Sequence, residues 1–192
     1  MLETLRVSSA VPRTVFLLEY SRTSVPNQAA IRSVDLWRVP SSMQQTLVLL
    51  KPDCVQRRLI GALIQRLEQK GLRLAAMKLV KAGCELAEKH YAVHKGKPFY
   101  ESLVGFVTAG PTVAMVWEGR EAITIVRNMM GKTDGAQSPP GTIRGDFAIS
   151  VQNNLVHGSD SPESAAAEIA LWFKPAELVG YAPVDAPWVA GG

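Results

Sequence analysis

A chain of 192 residues suits one domain of ordinary size plus an extension, and 47% hydrophobic against 20% charged residues excludes a disordered tract or a fibrous repeat. The net charge of +4 is mildly basic, which favours anionic ligands in general without singling out nucleic acid. Cys54 and Cys84 have no CxxC spacing and read as reduced intracellular thiols, and no apolar run approaches the ~18 residues of a membrane span, so a soluble protein without a membrane partner is expected.

Residues 1–44 differ from the remainder. They hold Arg6, Arg13, Arg22, Arg32 and Arg38, no lysine and many serines, as organelle leaders do, yet Glu3, Glu19 and Asp35 are acids that such leaders avoid. Two readings fit equally: a targeting leader, which would place the protein in a mitochondrion or plastid, or an extension ahead of a natural start at Met43, which leaves it cytoplasmic. Neither gives this segment chemistry, and the globular domain is expected over 45–192.

Thr46 to Leu50 reads as a buried strand stopped by a turn at Lys51-Pro52-Asp53. Ile60, Leu63, Ile64 and Leu67 recur at helical spacing, with Gly71 as the stop. Leu72 to Val80 predicts a second strand, and Glu85 to Val93 and Pro98 to Val107 predict two helices. Thr112 to Trp117 is a third strand and Glu121 to Met130 a helix ending at Gly131. Thr133 to Gly145, rich in Gly, Pro and Ser, is a long loop of the kind that carries function. Ile149 to Val156 predicts a short strand. Ser161 to Phe173 predicts the last helix, with Ser161 as N-cap and Pro162 at the first helical position. This order describes an α/β sandwich of split βαβ type, a small antiparallel sheet covered by helices, without repeats or a second domain.

Several motifs fail. Gly131-Lys132-Thr133 ends like a P-loop, but the glycine required five positions earlier is Val126. His90 and His94 have the i, i+4 spacing of metal ligands, yet no HExxH acid lies between them and no third ligand is near in sequence. No basic run or interleaved aromatic pair supports a nucleic-acid module. What remains is His157, in Asn154-Leu155-Val156-His157-Gly158-Ser159-Asp160 at the mouth of a strand-to-helix turn. Glu168 lies among Ile169, Leu171 and Trp172, company in which a carboxylate needs a partner; His157 and Ser159 are the nearest in sequence. Lys51 follows a buried strand directly, and Arg127 and Arg144 flank the long loop.

Lys51-Pro52-Asp53, Pro98-Phe99, Trp117-Glu118-Gly119, Pro140 to Phe147 and Asn154 to Asp160 together resemble nucleoside diphosphate kinases, in order and at family-like spacing from about Thr46 to Tyr181. The resemblance implies a ferredoxin-like fold with a four-stranded antiparallel sheet. It implies two-step transfer in which His157 takes the γ-phosphate of a nucleoside triphosphate and hands it to a diphosphate. Ser159 and Glu168 match the family's support for that ring, and Tyr91 a hydroxyl beside it. Arg127, Thr133, Arg144 and His94 match phosphate contacts, Lys51 and Asn154 contacts to sugar hydroxyls, and Phe99 and Val151 a sandwich around the base. Mg²⁺ on the phosphates is the implied cofactor, ATP and other nucleoside tri- and diphosphates the implied ligands, and a homo-oligomer, tetramer or hexamer, the implied assembly. The tail from Tyr181 with Trp188 suits such a contact. Imidazole, with a reference pKa of about 6.5, is nucleophilic near neutrality, and stacking on an aromatic face tolerates any base. Cys54 and Gly135 depart from the family pattern, the first expected to crowd the turn and the second to loosen the loop.

A catalytically inert nucleotide-binding relative of the same fold would show a damaged site, whereas Lys51, Arg127, Arg144, Asn154, His157 and Glu168 are all present. A nucleic-acid binder would show a basic stripe, whereas the cations here are dispersed among acids.

Overall fold

The computed structural model describes residues 43–189, so the expectations for residues 1–42 lie outside the described residues. β1 (Met43–Leu50) and β3 (Pro111–Arg120) form the centre of the sheet, in antiparallel register from Met43 opposite Arg120 to Leu50 opposite Val113. β1 begins ahead of the expected Thr46 because Met43, Gln44 and Gln45 pair with the end of β3. β2 (Arg73–Lys81) and β4 (Val156–Gly158) complete a four-stranded sheet in the order β2-β3-β1-β4, with every neighbouring pair antiparallel. That is the split βαβ arrangement expected from the order of elements.

The central strands are apolar on both faces because both are covered. Alternate side chains of a strand point to opposite sides, so Val48 and Leu50 enter one core layer and Leu47 and Leu49 the other. The first layer is closed by α2 (Ile60–Gln69) through Leu63 and Leu67, and by α5 (Ala122–Met130) through Val126 and Met130. The second is closed by α3 (Cys84–His90), α4 (Tyr100–Thr108) and α7 (Pro162–Trp172), through Ala87, Val104, Val107, Ile169 and Trp172. Each fully buried Leu or Val contributes about 1.5–3 kcal/mol over exposure, so the two layers hold the sheet from both sides.

Several local expectations are corrected. The turn at Lys51-Pro52-Asp53 opens a short helix, α1 (Pro52–Gln56), with Pro52 in its first turn, and Cys54 is a helical core residue there, so it crowds no turn. The long loop holds α6 (Ile143–Phe147), capped by Thr142, whose hydroxyl accepts from the Gly145 N–H at 3.1 Å. The fourth strand is Val156–Gly158 instead of Ile149–Val156: Ile149 faces solvent at 89% exposure, and Leu155 has a φ of +69°, which ends any extended run before it. Gly135 does not loosen its loop, since a Cβ there would lie 2.5 Å from the backbone of Ala148. The tail ends in α8 (Ala186–Val189), where Trp188 is exposed. Among the described residues no helix is long and apolar enough to cross a membrane.

Candidate active site

β4 pairs with β1 so that His157 stands opposite Leu49. Residues directly opposite share a face, which puts His157 on the side covered by α3, α4 and α7. Gly158 lets β4 close on α5, since a Cβ there would meet Met130 Sδ at 2.7 Å. Ser159 is clamped to β1: its N–H donates to the Leu47 carbonyl at 3.1 Å, and its Oγ accepts from the Leu47 N–H at 3.2 Å. The same hydroxyl donates to Glu168 Oε2 at 2.6 Å. Glu168 faces His157 with both oxygens, 3.1 and 3.2 Å from Nε2. Burial alone would raise the Glu168 pKa; hydrogen bonding and charge from His157, the Ser159 hydroxyl and His90 outweigh it and hold the group below the ordinary carboxylate range. The three residues that adjoin in sequence reasoning therefore also adjoin in space.

Behind this trio stands His90, which sequence reasoning had considered only as a partner of His94. It is buried, its Nδ1 accepts from the Trp172 indole N–H at 3.2 Å, and its ring meets that of His157 edge to face at 4.6 Å between centroids. Burial, then the neighbouring His157, push its pKa down to about 3. The signal in the sequence was a histidine on the apolar face of α3; the tryptophan that fixes it lies 82 positions away.

Lys51, Asn154 and Arg144 form a second, buried cluster beside β4, and exposed Thr133 joins it through its carbonyl. Lys51 Nζ donates to Asn154 Oδ1 at 2.6 Å, and Asn154 Nδ2 donates to the carbonyls of Thr133 at 2.9 Å and Val151 at 2.7 Å. Arg144 donates to the carbonyls of Gly131, Asn154 and Val156 at 3.1, 3.2 and 2.7 Å. Three of its five N–H donors are thus engaged, and Arg144 braces the loop. Burial and nearby Arg127 lower its pKa to about 10.

A cleft of about 400 Å³ opens over His157, walled by Tyr91, His94, Arg127, Asp160 and Glu168. The Tyr91 hydroxyl is buried without a partner among the described residues, and burial followed by Glu168 raises its pKa. His94 lies 5.5 Å from Phe99 between ring centroids, and its Nδ1 is 3.1 Å from Lys97 Nζ. Phe99 and Val151 are half-exposed at the outer edge, and a bond of 3.0 Å from Gln152 to Ser102 ties the Val151 turn to α4. His90, His157 and Glu168 each bring an atom within 4.8 Å of the other two. Trp172 nevertheless donates to His90 Nδ1, which puts the ring proton of neutral His90 on Nε2, a donor with no lone pair for a metal.

An α/β sandwich with a carboxylate-backed histidine at the base of a cleft walled by Arg127 and Lys89 is a site for phosphate-bearing ligands. The nucleoside diphosphate kinase model matches residues 44–178, and the chain belongs to that family. The nucleoside diphosphate kinase of Thermomicrobium roseum is 54% identical over 149 residues, covering 78% of this chain and 100% of the relative. That of Listeria monocytogenes is 53% identical over 147 residues, covering 77% and 100%. Among solved structures, the Halobacterium salinarum enzyme in complex with CDP superposes with a TM-score of 0.75 at 47% identity, covering 76% of this chain and 97% of that one. The chain is therefore a nucleotide-binding phosphotransferase that moves a terminal phosphate from a nucleoside triphosphate to a nucleoside diphosphate.

Proposed function

We propose that His157 is the phosphate carrier and that its Nδ1 is the reacting atom. The observation that supports this is the seat of Nε2, 3.1 and 3.2 Å from the two Glu168 oxygens. A carboxylate there keeps the ring proton on Nε2 and leaves the Nδ1 lone pair free. Nδ1 attacks the γ-phosphorus, the bond from that phosphorus to the bridging oxygen breaks, and the diphosphate leaves with the electron pair. The Nε2 proton stays between His157 and Glu168, whose charge balances the imidazolium that forms. In the second step a terminal phosphate oxygen of another diphosphate attacks, and the N–P bond breaks.

Phosphoryl transfer is mainly positioning and charge stabilisation. Arg127 and His94 on the cleft wall, with Arg144 and Thr133 beside it, take the phosphate oxygens; Lys51 and Asn154 take the sugar hydroxyls, and Lys51 also lies near the transferring phosphate. Tyr91 offers its hydroxyl next to the phosphate, while Phe99 and Val151 flank the base. A stacked base contributes about 1–3 kcal/mol whatever its identity, so specificity is broad. Mg²⁺ is the cation this site suits: of the carboxylates on the cleft wall, Glu168 is engaged by His157 and Ser159, and Asp160 accepts from Ser164 at 2.6 Å. A hard cation carried on nucleotide phosphates needs no protein cage, and it neutralises the charge that develops on the oxygens. The assembly is a homo-oligomer.

The test is a split transfer. Wild type and His157→Ala are exposed to γ-labelled ATP with Mg²⁺, freed of nucleotide, examined for acid-labile label and then given GDP or CDP. Label should sit on the wild type alone, chase into GTP and CTP, and map to Nδ1. A wild type that binds nucleotide yet never carries label would overturn the relay.

A further inference from the structure

His90 is the buried titratable group that the transfer just described leaves unused. Its Nδ1 is taken by the Trp172 indole N–H at 3.2 Å, which places the proton of the neutral ring on Nε2. That Nε2 is buried and has no hydrogen-bond partner among the described residues. The acceptor near the ring is the Glu168 carboxylate, an oxygen of which lies within 4.8 Å of a His90 nitrogen. A buried N–H kept beside a carboxylate, in a tautomer fixed from behind by a second residue, is an arranged donor, since an orphaned donor is otherwise unfavourable.

We propose that His90 is a positioning residue for the transfer, its Nε2–H, set by Trp172, holding Glu168 in place as charge builds and collapses on His157. The role requires His90 to stay neutral, because a second imidazolium beside His157 would oppose the developing charge. Burial and the adjacent His157 keep it so through the working range. The N–H makes no hydrogen bond in the resting site; closing on Glu168 during transfer, it weakens the grip of the carboxylate on the His157 proton. Losing that donor therefore strengthens the grip and moves the acid limb of phosphorylation to higher pH. The other ionisable groups facing the site are Lys51 after β1, Lys89 on α3, Tyr91 and His94 after α3, Arg127 on α5 and Asp160 ahead of α7. All are retained in the variants below.

The inference rests on the His157 relay, and the experiment separates the two. The rate of His157 labelling by ATP is measured across pH, at limiting and saturating nucleotide, for wild type, His90→Phe, His90→Gln and Trp172→Phe. In His90→Phe, which fills the space without a donor, the saturated rate should fall by about tenfold or more, as for a lost bond to a charged group, with KM for ATP within about twofold. Its acid limb should move up in pH. His90→Gln, which restores an N–H, should recover much of the rate, and Trp172→Phe, which frees the tautomer, should shift the limb in the same direction by less. An unchanged rate and limb in His90→Phe, or a His90→Gln as slow as His90→Phe, reduces His90 to packing and overturns the proposal. Should His90→Phe fail to fold, Trp172→Phe decides alone, and an unshifted limb there is the negative result. A wild type without label would instead remove the relay itself.

Discussion

At Lys51, burial and a neighbouring guanidinium act together. Burial first, then Arg144, lower the ammonium from its ordinary 10.5 to about 8 against the pull of Asp53. The lysine is thus cationic below about pH 8 and loses its charge as pH rises through that value, when its attraction for phosphate oxygens goes too. In the free enzyme, kcat/KM should fall on an alkaline limb near pH 8, while kcat at saturating nucleotide should hold further, because a bound polyanion raises the lysine pKa. Lys51→Met should lower kcat/KM by roughly 10–150-fold, from the ~1.5–3 kcal/mol of a hydrogen bond to a charged group, and should abolish the limb. A limb that survives in Lys51→Met belongs to another group. The residue itself was legible in the sequence, as a cation directly after a buried strand. Its partner Asn154 was not legible as a contact, since the two are 103 positions apart and meet only because β4 lies against β1. The same holds for Trp172, whose place on the apolar face of α7 read as core and is core, but whose indole N–H also finds His90.

The elements that were legible are those whose own sequence supports them. α5 and α2 repeat apolar residues at helical spacing, and α7 announces its start with Ser161-Pro162. β4 was not legible, because a strand of three residues exists through its pairing with β1, while Ile149 and Val151 imitate strand alternation in a solvent-facing turn. α7 matters to the chemistry because it carries Glu168 and Trp172 at a fixed distance from the turn that carries His157. Its N-terminus is a closed box: Ser161 Oγ accepts from the Ser164 N–H at 3.1 Å, and Ser164 Oγ accepts from the Ser161 N–H at 2.9 Å. Ser161→Ala removes one half of that box and should destabilise the protein by about 1 kcal/mol, within the ~0.5–2 kcal/mol range of N-cap losses. The denaturant midpoint should drop with an unchanged slope, and His157 labelling at room temperature should stay near wild type, since Glu168 lies two turns further on. A normal midpoint would mean that packing of Ala165 and Ile169 fixes the start of α7 without its cap.

Across the whole molecule one edge of the sheet is unevenly covered. Among the described residues β2 pairs with β3 on one side only. On the other side the C-terminal segment reaches it at Ala75, whose carbonyl accepts from the Val179 N–H at 2.8 Å. Beyond that point Met77 and Leu79 are exposed at 52% and 65%. An open edge bearing apolar side chains invites another strand unless charge guards it. Lys78, between them, is turned toward Glu177, 2.7 Å away, and Lys81 shares their exposed face. This edge, with exposed Trp188 on α8, is the contact expected to join copies of the chain, which is the assembly proposed above. Sedimentation should therefore show a species heavier than the 20.8 kDa chain at micromolar concentration. Leu79→Asp should shift the distribution toward that chain mass. Each copy loses the ~1.5–3 kcal/mol of a buried leucine, which weakens association roughly 10–150-fold per site before the added charge is counted. Leu79 is remote from the His157 pair in the sheet, three strands across, so a dissociated Leu79→Asp that still takes label would separate assembly from chemistry. A wild type that sediments only as single chains would leave the open edge unpaired and remove the oligomer.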